Sequence, residues 1–222
     1  MKYLITERQL KLIKEQDEIL ELDFDFFNNN WDILQKFLER RGNPPYIITG
    51  DLDLKGSNIE SLGNLQSVGG FLNLEGSKIQ TLGNLQSVKG YLNLRLSKIQ
   101  SLGNLQSVGG FLNLFNTKIE SLGNLQYVEG DLNLNYSKIQ SLGNLQSVGG
   151  DLDLYGSKIQ TLGNLQSVGG ILNLPGSKIQ TLGNLQSVGG DLYLSRTPLS
   201  KTTTKKEIRN IPNLTIEGEI YL

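Results

Sequence analysis

The sequence predicts a mainly β protein, a parallel β-solenoid of 20-residue turns with a small N-terminal helical cap. Three observations carry this. From Asp51 the chain repeats every 20 residues through seven full copies, beginning DLDLKGSNIESLGNLQSVGG and FLNLEGSKIQTLGNLQSVKG, then a broken eighth, DLYLSRTPLS. Aliphatic residues hold the same six places in each copy. Glycine is in excess, 26 of 222 residues against a usual ~7%, and 24 of the 26 recur at four fixed places. Self-similarity at a fixed period marks a solenoid, whose turns bury their apolar faces on one another.

Residues 1–45 break the period and read as a helical cap. Thr6 and Gln9 fit a capping box, followed by Leu10, Ile13, Ile19 and Leu20 at rough helical spacing. A second helix is expected from Trp31 to about Arg40, capped by Asn30 and stopped by Gly42, Pro44 and Pro45. Ile33, Leu34, Phe37 and Leu38 form its apolar face. The cap reads either as a lid over an otherwise open coil end or as a helical docking site. Tyr46 to Gly50 leads into the first turn.

Residues 46–199 are the repeats. With slots numbered from Asp51, the apolar slots are 2, 4, 9, 12, 15 and 18, as in Leu52, Leu54, Ile59, Leu62, Leu65 and Val68. The step from slot 2 to slot 4 is the period of a strand, and the later threes are corners. Slots 1–5 therefore read as a short parallel strand with its even slots inward. Strands stacked at ~4.8 Å make a rod about 40 Å long. Twenty residues leave no room for a full helix beside a strand and two bends. Glycine at slots 13, 19 and 20 fits corners, where positive φ is expected. Slot 14 is Asn in all seven copies and slot 7 is Ser or Thr; both read as polar columns that satisfy backbone groups of neighbouring turns.

Residues 200–222 form a C-terminal cap. KTTTKKEIRNIP fits a short helix, and Glu219 to Leu222 restores the slot 1–4 pattern as a closing strand. That pattern favours a closed rod over end-to-end polymerisation.

The stretch L-x-L-x-x-S/T-x-I, as in Leu152 to Ile159, resembles the leucine-rich-repeat core, with Ser or Thr where that family prefers Asn. The segment LQSVGGDLDL from Leu145 is similar to the repeats of receptor L-domains, right-handed β-helical relatives. An extra residue between Val148 and Leu152 departs from the standard leucine-rich repeat and favours a tight solenoid over a helix-bearing horseshoe. The opening MKYLITERQLK and TPLSKTTTKKEIRN resemble segments of uncharacterised phage-type repeat proteins. These resemblances imply binding of proteins or glycans and leave the ligand unspecified; no cofactor is expected.

Composition narrows the function. The chain has no His and no Cys, which removes Ser-His-Asp and Cys-His nucleophile systems and thiolate metal sites. A net charge of −1 gives no bulk attraction to nucleic acid or anionic membrane. The charged start fits no secretory signal, and no apolar run approaches the ~18 residues of a membrane span. A soluble cytoplasmic protein is the default expectation.

In a copied repeat, information lies where copies differ, here slots 1, 3, 5 and 6. Phe71, Tyr91 and Phe111 are expected as an outward aromatic column on slot 1, joined by Arg95, Leu96 and Phe115, with Tyr136 beside it. Exposed aromatics with an Arg are what protein interfaces favour; a ladder that merely stabilises the sheet face is the alternative. Asp131, Asp151 and Asp153 pose a calcium site or simple surface acids. Slot 8 is Lys at 78, 98, 118, 138, 158 and 178, either a track for a polyanion or a solvated edge that resists aggregation. Slot 11 mixes Ser and Thr without the paired face of ice-binding arrays. The expected function is a non-enzymatic protein-interaction module; the alternative is a structural spacer or virion component.

Overall fold

The computed structural model describes residues 19–222 and has the parallel solenoid architecture. Each turn contributes two short strands, so two parallel sheets run the length of the coil, one of ten strands and one of nine. The nine-stranded sheet is built from slots 2–3, beginning with β3 (Leu52–Asp53), which pairs with Leu72–Asn73, and so on to Ile220–Tyr221. The ten-stranded sheet is built mainly from slots 17–18, as in Ser87–Val88 and Ser107–Val108. Equivalent residues pair at a constant register, Leu52 with Leu72 and Leu72 with Leu92. The expected strand at slots 1–5 is thus shorter, and the corner at slots 15–18 contains a second strand.

Between the sheets lie the aliphatic columns. Of the six columns in seven copies, every member is buried except Ile59, which is partly buried. Each buried side chain contributes about 1.5–3 kcal/mol relative to exposure. The slot-7 column also turns inward: from Ser77 to Ser177 each Ser or Thr is buried. Thr117 Oγ1 donates to the Leu114 carbonyl at 2.9 Å, while Ser97 Oγ accepts from the Ile99 amide at 3.4 Å.

Corners differ from expectation in one respect. Gly63 at slot 13 has φ 59°, as anticipated, but positive φ recurs at slot 6 instead of at slots 19 and 20. Glycine at slot 20 answers a steric demand. A Cβ on Gly90 would lie 2.9 Å from the carbonyl carbon and oxygen of Gly70 and from the Phe71 nitrogen. The corner backbones of successive turns touch there, and only hydrogen fits. Slot 19 approaches the preceding turn closely as well, a Cβ on Gly69 falling on the Thr49 carbonyl oxygen, although Lys89 and Glu129 occupy it in two turns.

Polar columns tie the turns together. All four slot-1 aspartates act alike: Asp51, Asp131, Asp151 and Asp191 accept the slot-1 amide of the next turn, at 2.7–2.9 Å. Slot 3 closes the bend that follows it, as where Asn113 Oδ1 accepts the Phe115 amide at 3.1 Å. The Asn column reaches the preceding segment in four copies, for example Asn84 Nδ2 to Asn64 Oδ1 at 3.1 Å.

The N-terminal region caps the core, partly by a different means than expected. Residues 1–18, with the Thr6 and Gln9 capping box, Leu10 and Ile13, lie outside the described residues. Ile19 and Leu20 are not helical: β1 (Leu20–Leu22) is a strand that pairs in parallel with β2 (Tyr46–Ile48) and extends the ten-stranded sheet. Its two leucines alternate around Glu21, a period of two that the surrounding charged sequence obscures. A single 3-10 turn (Asp25–Phe27) follows. Helix α1 (Trp31–Glu39) starts where Asn30 Oδ1 accepts the Ile33 amide at 3.1 Å. It buries Leu34 and Leu38 alongside Phe24 and Phe27 in the core, while Ile33, expected on the apolar face, is exposed. At the other end, α2 (Pro198–Thr202) and α3 (Lys205–Arg209) precede strands Thr215–Ile216 and Ile220–Tyr221, which close the two sheets. Thr204 and Glu207 form the capping box of α3.

Candidate interaction face

The variable slots lie on the outer side of the nine-stranded sheet and on the bend after it. Strand alternation sends slots 2 and 4 inward, so slots 1, 3 and 5 face out. Phe71 and Tyr91 stack with ring centroids 4.7 Å apart and planes 3° from parallel. Phe111 is half-buried in the next turn, and among the described residues no ring pair joins it to Tyr91. The column is therefore a stacked pair with a third ring following. Tyr91 is 39% exposed. Desolvation, then the charges of Asp53 and Asp51, raises its phenol above the ordinary tyrosine range.

A second cluster forms on the bend. Arg95 Nη1 meets Glu75 Oε1 at 3.0 Å, and its guanidinium lies 5.5 Å from the Phe115 ring centre. Lys55 Nζ meets the other oxygen of Glu75 at 3.2 Å. These contacts, led by the Lys55 hydrogen bond, hold the Glu75 carboxyl below its usual range. Phe115 packs edge-on against Tyr136, at 5.8 Å, and Tyr136 against Tyr155, at 5.5 Å. Tyr155, at slot 5 of its turn, was not singled out from the sequence. The signal lay in the diagonal from slot 6 of one turn to slot 5 of the next, which becomes visible only once the turns are stacked.

Leu96 and Tyr136 occupy slot 6 with φ 57° and 58°. Glycine takes that left-handed position in the turns of Gly56, Gly76, Gly156 and Gly176. A bulky L-residue there costs roughly 1–2 kcal/mol. Neither side chain is buried in return: Leu96 is 46% and Tyr136 53% exposed. Leu96, Asn116 and Tyr136 stand in three consecutive turns, and Arg196 of the broken eighth copy takes the same slot at φ 61°.

The other candidate columns are separate. The carboxylates of Asp131 and Asp151 each accept a backbone amide, and Asp153 Oδ1 accepts from Asn173 Nδ2 at 2.8 Å. Among the described residues no group of three acidic, His or Cys side chains forms a metal cluster. The six slot-8 lysines are all exposed. No helix among the described residues is long and apolar enough to cross a membrane. No family model and no curated protein sequence matches the chain.

Proposed function

We propose that the chain is a non-enzymatic protein-interaction module that presents the outer face of its nine-stranded sheet and the adjoining bend. The contact residues are Phe71, Tyr91, Arg95, Leu96, Phe111, Phe115 and Tyr136. The observation that carries this reading is the placement of Leu96 and Tyr136, bulky and exposed at backbone positions that other turns give to glycine. Strain kept without burial suits a surface whose reward lies in contact with something else. Around them stand rigid aromatics and an Arg, the residue types that anchor protein interfaces.

The test is capture from the native cell by the wild-type chain and by a Leu96→Gly/Tyr136→Gly variant, with bound proteins identified by mass spectrometry. A protein retained stoichiometrically by the wild type and lost by the folded variant is the expected result. Equal retention by both, or none by either, overturns the proposal; the latter fits a rigid spacer.

A second reading rests on the slot-8 lysines. Six exposed cations in successive turns, outside the ion pairs formed among the described residues, offer a track for a polyanion. Salt-dependent retention on heparin, lost when Lys98, Lys118 and Lys138 are changed to Gln, would support it. Passage through the column at low salt overturns it.

A further inference from the structure

The two sheets do not start at the same level. The ten-stranded sheet extends past β2 to β1, whereas the nine-stranded sheet begins at β3. In this sheet the slot-2 and slot-4 amides of each turn donate upward, Leu52 to the Phe71 carbonyl at 2.8 Å and Leu54 to the Asn73 carbonyl at 2.8 Å. Alternate residues of a parallel strand bond opposite neighbours, so the amide of Asp53 and the carbonyls of Asp51, Asp53 and Lys55 point the other way. In every later turn the equivalent slot-1 and slot-3 carbonyls accept a bond from the turn below. Among the described residues nothing bonds to those of Asp51, Asp53 and Lys55.

The Asp53–Lys55 part of this edge opens into a cleft of about 630 Å³ between the first turn and the start of α1, a volume typical of a ligand site. Trp31, Leu54 and Ile59 supply its apolar wall. Ile59 is the one member of the core columns left partly uncovered, and Ser57 Oγ is buried there without a partner. The charged lining is acidic: Asp32, Asp53 and Glu60 stand against Lys55, which is already paired with Glu75.

We propose that this edge binds an extended peptide as an added parallel strand, of alternating apolar and basic sequence. The strand continues the sheet by one member. Its amides donate to the carbonyls of Asp51, Asp53 and Lys55, and its carbonyl accepts from the Asp53 amide. Strand alternation turns its apolar residues into the cavity toward Trp31 and the partly uncovered Ile59, and its basic residues beside Asp53, with Asp32 and Glu60 at the rim. Main-chain bonds give the affinity and alternate side chains the selectivity, as in other strand-addition complexes. This site is at the end of the coil and does not depend on the aromatic face.

Trp31 is the only tryptophan of the chain, so its emission reports occupancy of the cavity. The full chain is titrated with three decapeptides: alternating Leu-Lys, the same peptide methylated on alternate backbone nitrogens, and alternating Leu-Glu. Amide exchange at Asp53 is followed in parallel. The expected result is a saturable change in Trp31 emission with the Leu-Lys peptide, together with slowed exchange at Asp53. Binding should be at least tenfold weaker for the other two peptides, and for Leu-Lys on an Asp32→Asn/Glu60→Gln variant. An equal response to the methylated peptide means cavity filling without strand pairing and overturns the proposal. So does an equal response to Leu-Glu, an absence of any saturable response, or a protected Asp53 amide in the free chain, which would mean that the chain's own residues hold the edge.

Discussion

Tyr46 donates its hydroxyl to the carbonyl of Leu62 at 2.8 Å, inside the core and across the junction between the N-terminal cap and the first turn. The ring is buried to 1% exposure. Burial, opposed by a smaller contribution from Gln35, pushes the phenol well above its ordinary value of 10.0. The contact fastens the cap to the coil through a side chain that is neutral in the folded protein.

Tyr46 should therefore make stability fall in alkali. Its pKa is raised on folding, so its contribution is complete below the unfolded value near 10 and declines as pH rises above it. Urea unfolding at pH 8 and pH 11 should show a loss for the wild type that is smaller in Tyr46→Phe. At pH 8 the Phe variant should itself be about 0.5–1.5 kcal/mol less stable, because the Leu62 carbonyl loses the shorter of its two hydrogen bonds and keeps the Leu65 amide at 3.3 Å. An identical pH dependence in both proteins would contradict this role.

Two glycine substitutions should separate close approach from conformation. Gly90→Ala drives a methyl into the backbone of Gly70 and Phe71; overpacking of that kind costs about 1–3 kcal/mol or more. Gly143→Ala faces open space at φ +59° and should cost roughly 1–2 kcal/mol for the left-handed backbone alone. Thermal unfolding should rank Gly90→Ala as the more damaging. The reverse order would mean that the turns have room to move apart.

Replacing the strained residues should stabilise the fold. Leu96→Gly and Tyr136→Gly each relieve a left-handed side chain, and the unfolded chain gains freedom in partial compensation. The expected net gain is about 0.5–1 kcal/mol each, read from the denaturant midpoint. A loss of 1 kcal/mol or more would show that the exposed side chains hold the face together and would remove the observation behind the proposed function.

The Glu75 carboxylate should titrate in NMR below its usual 4.5. Lys55→Met should bring it back toward that value, since the Lys55 hydrogen bond is the leading cause. As the folded pKa is depressed, whatever the cluster contributes is present above the unfolded value and fades as pH falls. A midpoint unmoved by Lys55→Met would assign the depression to Arg95 instead.

The fold was legible because one period governs the chain. The columns from Leu52 to Val68 announce the coil, and Asn30 ahead of Trp31 marks the start of α1. The second sheet was hidden because its strands, such as Ser87–Val88, are two residues long. Leu85 and Val88 stand three apart, which reads as a corner. Sequence alone does not separate β1 from a helix, because Ile19 and Leu20 continue the rough helical spacing of Leu10 and Ile13 through a charged stretch. At the candidate face, slot position separated inward from outward residues, but not the grouping of side chains. The stacking of Phe71 on Tyr91 follows from adjacency in one column. The run from Phe115 through Tyr136 to Tyr155 crosses columns, and depends on how far the slot-6 bend throws its side chain. Likewise, Asp131 and Asp151 read as surface acids because their amide partners lie 20 residues away.

The identical register between successive turns has a genetic corollary. Duplicating an internal 20-residue unit beyond the aromatic face, for instance 171–190, repeats the same core-column and corner contacts, so the rod can lengthen or shorten by ~4.8 Å while only the varied outer slots meet new neighbours. Such a change would slide the aromatic face and the C-terminal cap apart along the axis while leaving each intact. Length is then a trait that unequal recombination could tune separately from what the surface touches.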